Sequence, residues 1–227
     1  MSIIPILVLR FEGVLQSWGE RSKWGYRDSA NLPTKSGIVG MLGCAAGLER
    51  DDARLAEWNQ KLHVAVRADR QGNELIDFHT VRSLQMMTAQ GTMRNKKGKY
   101  ETLVTHRTYI QDACYTVFVQ GEENLLESLK ASLQRPKWPI FLGRKSCVPS
   151  RPVLEGMTRA YSSLAEAAEK WPLADGCQSG DCLVEWDAID DGLRLERQDV
   201  NCGGRSFHTR LVSRKIIHKE AAIDVSE

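Results

Sequence analysis

Alternating apolar positions mark out short strands along this chain, and helical repeats fill the intervals between them. Ile3 to Phe11 is a β-type run, and Val64 and Val66, then Tyr115, Val117 and Val119, show the two-residue period of half-buried strands. A helical period appears in Ser36 to Gly47 and in Asp52 to Leu62, which starts at an aspartate cap. It appears again in Asn124 to Gln134, where Leu125, Leu126, Leu129 and Leu133 share a face. A fourth strand is expected near Trp138 to Leu142. The order strand, helix, strand, strand, helix, strand predicts an α+β fold on the ferredoxin-like plan, which RRM domains also use to bind RNA.

The second and third strands are separated by about 40 residues, Gln71 to Ile110, far more than a compact hairpin needs. Phe78 to Leu84 and Thr102 to Ile110 are β-prone, and Asn95-Lys96-Lys97-Gly98 reads as a turn. An inserted hairpin over about residues 78–110 is therefore expected to project like a thumb with a basic tip. Met86, Met87 and Met93 suit contact with a neighbouring protein. Residues 1–149 are read as the ferredoxin-like domain carrying this thumb. Residues 150–227 are read as a smaller β-rich subdomain, with an Ala-rich helix near Leu164 to Lys170 and strands around Leu183 to Ile189, Leu193 to Gln198 and Arg210 to Ile217.

Composition changes this picture little and charge distribution changes it more. With 42% apolar and 26% charged residues, the 227-residue chain has the make-up of an ordinary soluble globule. No apolar run approaches a membrane span, and the opening Met-Ser-Ile-Ile-Pro-Ile lacks a signal peptide's basic region, so a cytoplasmic protein without membrane contact is expected. Net charge is only +2, yet Arg82 to Arg107 holds six basic residues against Glu101 alone. That local excess is the footprint expected for nucleic acid, although a solvated basic loop has the same composition. The six cysteines, Cys44, Cys114, Cys147, Cys177, Cys182 and Cys202, are scattered and read as free thiols. The spacing of Cys177, Cys182, Cys202 and His208 fits zinc poorly, so no metal and no cofactor is expected.

Three segments carry candidate chemistry. In Pro33-Thr34-Lys35-Ser36-Gly37, proline keeps Leu32 out of helix, Thr34 or Ser36 can cap, and Lys35 sits at the positive end of a helix dipole suited to phosphate. Gly37, Gly40 and Gly43 continue it at three-residue spacing, leaving a groove for an RNA backbone or for close packing on a sheet. Phe141-Leu142-Gly143-Arg144-Lys145-Ser146-Cys147 places two cations after a glycine, a second phosphate site or else a basic surface turn. Leu15-Gln16-Ser17-Trp18-Gly19, followed by Arg21, Lys23, Trp24, Tyr26 and Arg27, interleaves aromatics with cations in the manner of surfaces that hold unstacked bases, although Trp18 equally suits a core.

These segments, together with Glu49-Arg50-Asp51-Asp52 and Asp77-Phe78-His79-Thr80-Val81, resemble in their order the CasD-type family of type I-E CRISPR Cascade subunits in the RAMP superfamily. The resemblance runs over roughly residues 3 to 150. It implies a noncatalytic subunit that binds and caps the 5′ handle of mature crRNA, touches the adjacent backbone subunit and the large subunit, and meets target DNA only through the complex, in defence against foreign DNA. By resemblance, Lys35, Ser36, Gly37, Arg144, Lys145 and Ser146 contact the handle; Trp18, Arg27, His79, Arg82, Arg107 and Tyr109 are further RNA-binding candidates; Arg94, Lys96, Lys97 and Lys99 belong to the thumb. The family often has tyrosine where Phe141 stands, and the loop Gly176-Cys177-Gln178-Ser179-Gly180-Asp181-Cys182 falls outside the likeness. A type I-C relative is an endoribonuclease, and Lys99, Tyr100, His106 and Tyr109 are residue types that can cleave RNA without metal. A metal-independent nuclease acting on CRISPR repeat RNA therefore stands as the alternative, and a basic scaffold with incidental RNA contact as a third reading.

Overall fold

The computed structural model describes residues 5–21, 25–87, 92–94, 98–187, 194–202 and 206–221. In chain order come strands β1 (Ile6–Glu12), β2 (Leu15–Gln16) and β3 (Tyr26–Arg27), then helices α1 (Lys35–Ala46) and α2 (Ala53–Lys61). The strands β4 (His63–Arg70), β5 (Asn73–Ser83), β6 (Met86–Met87), β7 (Met93–Arg94), β8 (Glu101–Gln111) and β9 (Cys114–Gln120) lead to helix α3 (Glu123–Gln134). Strand β10 (Leu154–Thr158), helix α4 (Leu164–Lys170) and strands β11 (Gly180–Asp187), β12 (Arg194–Asn201) and β13 (Phe207–Lys219) complete the chain.

Local chemistry sets the helix ends where the sequence placed them. Thr34 Oγ1 accepts the Gly37 amide at 3.2 Å and starts α1, which stops at Gly47, a left-handed residue with φ +72°. Asp52 caps α2 by accepting the Arg54 amide at 3.0 Å. A seven-stranded antiparallel sheet runs β10-β1-β9-β4-β11-β13-β12. Its first four members stand in the ferredoxin strand order, fourth, first, third, second. Beyond them, residues 150–227 supply both edges: β10 beside β1, and β11, β13 and β12 continuing past β4.

The fourth ferredoxin strand differs from expectation. It is Leu154–Thr158, while Trp138 to Leu142 is a loop. Pro139 has no amide for a ladder, and Leu142 uses its amide on Cys147 O at 2.7 Å and its carbonyl on the Ser17 amide at 3.1 Å.

Strand alternation gives the sheet two unlike faces. Leu7, Leu9, Phe11, Val64, Val66, Tyr115, Val117 and Val119 face the helices α1 and α3 and form the main core with Ile38, Leu42, Leu126 and Leu129. On the other face Ile6, Val8, Ala65, Phe118 and Val184 pack against Leu164, Ala167 and Ala168 of α4. This face turns polar further along, at Arg10, Arg67, Asp69, Cys114 and Thr116, all buried. Arg67 there donates to the Ala168, Trp171 and Pro172 carbonyls, which satisfies the orphan end of α4.

The thumb is longer at its root than expected, since β5 and β8 pair from Asn73↔Gln111 to Ser83↔Glu101. Short strands β2 and β3 flank β8, and β6 pairs with β7 farther out. Lys96 and Lys97 at the anticipated basic tip lie outside the described residues, as does the Arg94 side chain. Among the described residues no helix is long and apolar enough to cross a membrane.

Candidate nucleic-acid interface

Two sequence motifs, Leu15 to Gly19 and Leu142 to Cys147, meet backbone against backbone at the thumb root. Gln16 donates from Nε2 to the Phe11 and Ala113 carbonyls at 3.1 and 2.9 Å, holding its loop against the sheet. Trp18 is buried rather than presented to bases: it stacks on Phe11 at 5.4 Å and donates from Nε1 to Gln16 Oε1. Gly143 adopts φ +90°, and a β-carbon there would lie 1.7 Å from the Ser17 carbonyl oxygen. Only glycine allows this approach.

Arg144 faces inward from the same turn. Its guanidinium lies 4.6 Å from the Tyr109 ring centroid and donates to the Thr108 carbonyl at 3.0 Å and the Arg27 carbonyl at 2.9 Å. Those contacts fasten β3, β8 and the turn into one unit, with the Tyr109 ring buried beneath. Lys145 and Ser146 are left exposed at the apex. The cation the sequence marked for phosphate thus shapes the turn, and its neighbours face solvent.

Lys35 departs from expectation in the same sense. It is 5% exposed, and its ammonium lies 3.2 Å from Asp187 Oδ2 while its amide donates to Asp199 Oδ2 at 2.7 Å. Asp199 therefore occupies the anion position that the helix start offers, and Thr34 takes the Gly37 amide. Arg210 joins Asp187 and Asp199 through contacts of 2.6 and 2.7 Å, and Arg197 and Arg214 flank Glu185 beside them. Burial opposes ionisation of Asp187, but His63, Arg210 and Lys35 outweigh it and hold the carboxyl well below the ordinary range. Asp199 is likewise lowered: burial works against it, and Arg210 and the Lys35 amide prevail. Ser36 is half-buried at the helix start. Gly37 abuts Trp18 and Gly43 abuts Leu55, whereas Gly40 faces open space, so the glycines do not form one continuous groove.

The thumb root presents a surface that the motif reading did not assemble. Tyr26 of β3 pairs with His106 of β8, and His106 pairs with Phe78 of β5, so three rings stand in one row across adjacent strands. Tyr26 is 46% exposed and Phe78 64%, and Phe78 meets the His106 ring edge-on at 5.3 Å. Exposed Ile76 and Val104 flank the row on the same face. Register alone creates this row, so the signal in sequence was only the β-prone spacing of the two strands. The remaining candidates are dispersed around it: Arg107 donates to Thr105 Oγ1, His79 lies 3.3 Å from Asp77, Arg82 is stacked over Tyr100, Lys99 is exposed, and Arg27 is half-buried. Exposed aromatics among cations are the means by which proteins hold single-stranded nucleic acid, by stacking bases and neutralising phosphates.

Comparison with known proteins agrees over nearly the whole chain. The sequence profile of the family described as CRISPR-associated protein (Cas_Cas5) matches residues 6–220. The chain is 32% identical over 170 residues to the CRISPR system Cascade subunit CasD of Escherichia coli strain K12, covering 68% of this chain and 71% of that protein. Among solved structures, a chain of a CRISPR RNA-guided surveillance complex superimposes with a TM-score of 0.72 at 31% identity, covering 95% of this chain and 90% of that one. The crystal structure of a Cas protein gives a TM-score of 0.69 at 32% identity, covering 94% and 95%.

Proposed function

The chain belongs to the CRISPR-associated Cas5 family, and we propose that it is a noncatalytic Cascade subunit that binds and caps the 5′ handle of mature crRNA. The observation that carries this reading is the likeness along almost the full chain to a component of an RNA-guided surveillance complex. Local geometry gives it a surface. Lys145 and Ser146 at the apex of the Gly143 turn supply phosphate contacts, and the row Tyr26, His106 and Phe78 supplies faces for unstacked bases. Arg144 fastens the turn to β3 and β8 without spending its charge on RNA. The outer thumb, with its exposed Met87 and Met93, reaches the adjacent backbone subunit. The same reading gives the chain contacts with the large subunit and, through the complex, with target DNA.

The test is to co-express the chain with the other Cascade subunits, purify the complex and recover its RNA. A short crRNA whose 5′ handle is protected from nuclease supports the reading. A complex that assembles without RNA, or an isolated chain that cuts repeat RNA in the presence of a chelator, overturns it in favour of a scaffold or a metal-independent endoribonuclease.

A further inference from the structure

The C-terminal hairpin of β12 and β13 has no part in the RNA-binding reading, yet one of its side chains reaches the loop that leads into the thumb root. Arg197 of β12 donates from Nε to Glu20 Oε1 at 2.8 Å across 177 residues of sequence, and the two side chains are only 7% and 12% exposed. From Nη1 it also donates to both oxygens of Glu185 on β11, at 2.8 and 3.0 Å. Glu185 is shared in turn, since Arg210 lies 3.5 Å from it and Arg214 donates to it. With three guanidiniums converging on one buried carboxylate, Glu20 supplies the further negative charge that keeps Arg197 stable out of water.

Glu20 lies between β2 and β3, and β3 is the strand that brings Tyr26 into the ring row. Two residues of parallel pairing with β8 give β3 little hold of its own. Its place depends on ties beyond the ladder. On the thumb side, Gly25 O accepts the His106 amide at 3.0 Å and Arg27 O accepts from Arg144 at 2.9 Å. On the other side, the outgoing and returning legs of the loop are joined to each other. Asp28 Oδ2 accepts the Arg21 amide at 2.8 Å, and Trp18 O accepts the Ala30 amide at 2.7 Å. Glu20 precedes Arg21 directly, so the grip of Arg197 on Glu20 also fixes the leg to which Asp28 is bonded, two residues beyond Tyr26.

We propose that Glu20 and Arg197 are positioning residues for RNA binding: their ion pair anchors the β2–β3 loop to the C-terminal hairpin and thereby holds Tyr26 in line with His106 and Phe78. The inference rests on the reading of that row as a base-stacking surface. Neither residue touches RNA. The hairpin acts from behind the site, by fixing where the first ring of the row stands.

The test compares the full-length wild-type chain with Glu20→Ala, Tyr26→Ala and the double variant. Amide hydrogen exchange read by mass spectrometry needs no RNA. Glu20→Ala is expected to lose protection in peptides covering residues 19–30 and at His106, while β1 and β9 exchange as in wild type. In handle-RNA binding by fluorescence anisotropy, Glu20→Ala is expected to weaken affinity by about five- to tenfold, part of one base-stacking contact, with the salt slope unchanged. In the Tyr26→Ala background the same change is expected to weaken binding no further, whereas a general loss of folding would weaken it in both backgrounds. Glu20→Gln, which keeps an oxygen for Arg197, is expected to fall between wild type and Glu20→Ala. The proposal is overturned if Glu20→Ala binds the handle as wild type does, if its effect persists undiminished without the Tyr26 ring, or if protection is lost throughout the sheet rather than in the loop. A wild-type chain that does not bind the handle overturns the parent reading and this one together; a wild type that binds, matched by Glu20→Ala, overturns this one alone.

Discussion

Asp199 Oδ2 accepts the amide hydrogen of Lys35 at 2.7 Å across 164 residues of sequence. That bond docks the hairpin of β12 and β13 onto the start of α1 and fills the helix end with an internal carboxylate. Asp199 also holds Arg210, so Asp199→Ala would leave the Lys35 amide unpaired and take from a buried guanidinium one of its two aspartates, with Asp187 remaining. A loss of roughly 3–5 kcal/mol is expected, read as a lowered midpoint in urea unfolding.

Lys35 and Lys145 are expected to separate structural charge from binding charge. Lys35→Ala removes one of the cationic partners of buried Asp187 and should cost about 1–3 kcal/mol of stability while leaving the salt dependence of handle-RNA binding unchanged. Lys145→Ala should leave stability alone and lower the slope of log K against log salt by about 0.7, one phosphate contact to a single strand. Filter binding at several salt concentrations checks both.

Acid is expected to loosen the C-terminal hairpin first. Asp187 and Asp199 titrate in the folded chain below their ordinary value of 3.8. The unfolded chain therefore binds more protons as pH falls, and stability present above that value declines through it towards the folded values. Unfolding midpoints should fall steeply below about pH 4, and Asp187→Asn should flatten that decline.

Glycine substitutions should act in opposite directions. Gly143→Ala forces a β-carbon into the Ser17 carbonyl from a positive φ, so a loss of at least about 2 kcal/mol and weaker handle binding are expected. Gly40→Ala meets nothing within 4 Å in mid-helix and should raise stability by up to about 1 kcal/mol. Thermal melts of both variants decide this.

Base stacking should be measurable at the ring row. Phe78→Ala is expected to weaken handle binding by about 1–3 kcal/mol with no change in salt slope, since no charge is removed. Fluorescence anisotropy with a labelled handle RNA distinguishes this from the Lys145→Ala pattern.

What the sequence made legible was local. Caps at Thr34 and Asp52 and the leucine face of α3 define helices without help from distant residues. Alternation at Val64, Val66, Tyr115, Val117 and Val119 likewise marks the face turned to α1 and α3, but its period is that of half-buried strands, whereas β4 and β9 are buried on both faces because α4 covers the other side. The fourth strand escaped because Leu154–Thr158 is short and contains Gly156, while Trp138 to Leu142 is more apolar and yet bends around Pro139. The interior role of Lys35 was hidden for another reason. Asp187, Asp199 and Arg210 stand more than a hundred residues away, so only tertiary pairing turns an apparent phosphate ligand into a buried ion pair. The row of Tyr26, His106 and Phe78 depends in the same way on strand register, which no single segment encodes.

Cross-linking of crRNA carrying 4-thiouridine in its 5′ handle, within the reconstituted complex, tests the central claim most directly. The expected result is covalent attachment to peptides containing Lys145 and Ser146 and to those containing Tyr26, Phe78 or His106. Attachment confined to α4 or to the hairpin of β12 and β13, or a complex holding no crRNA, would contradict it.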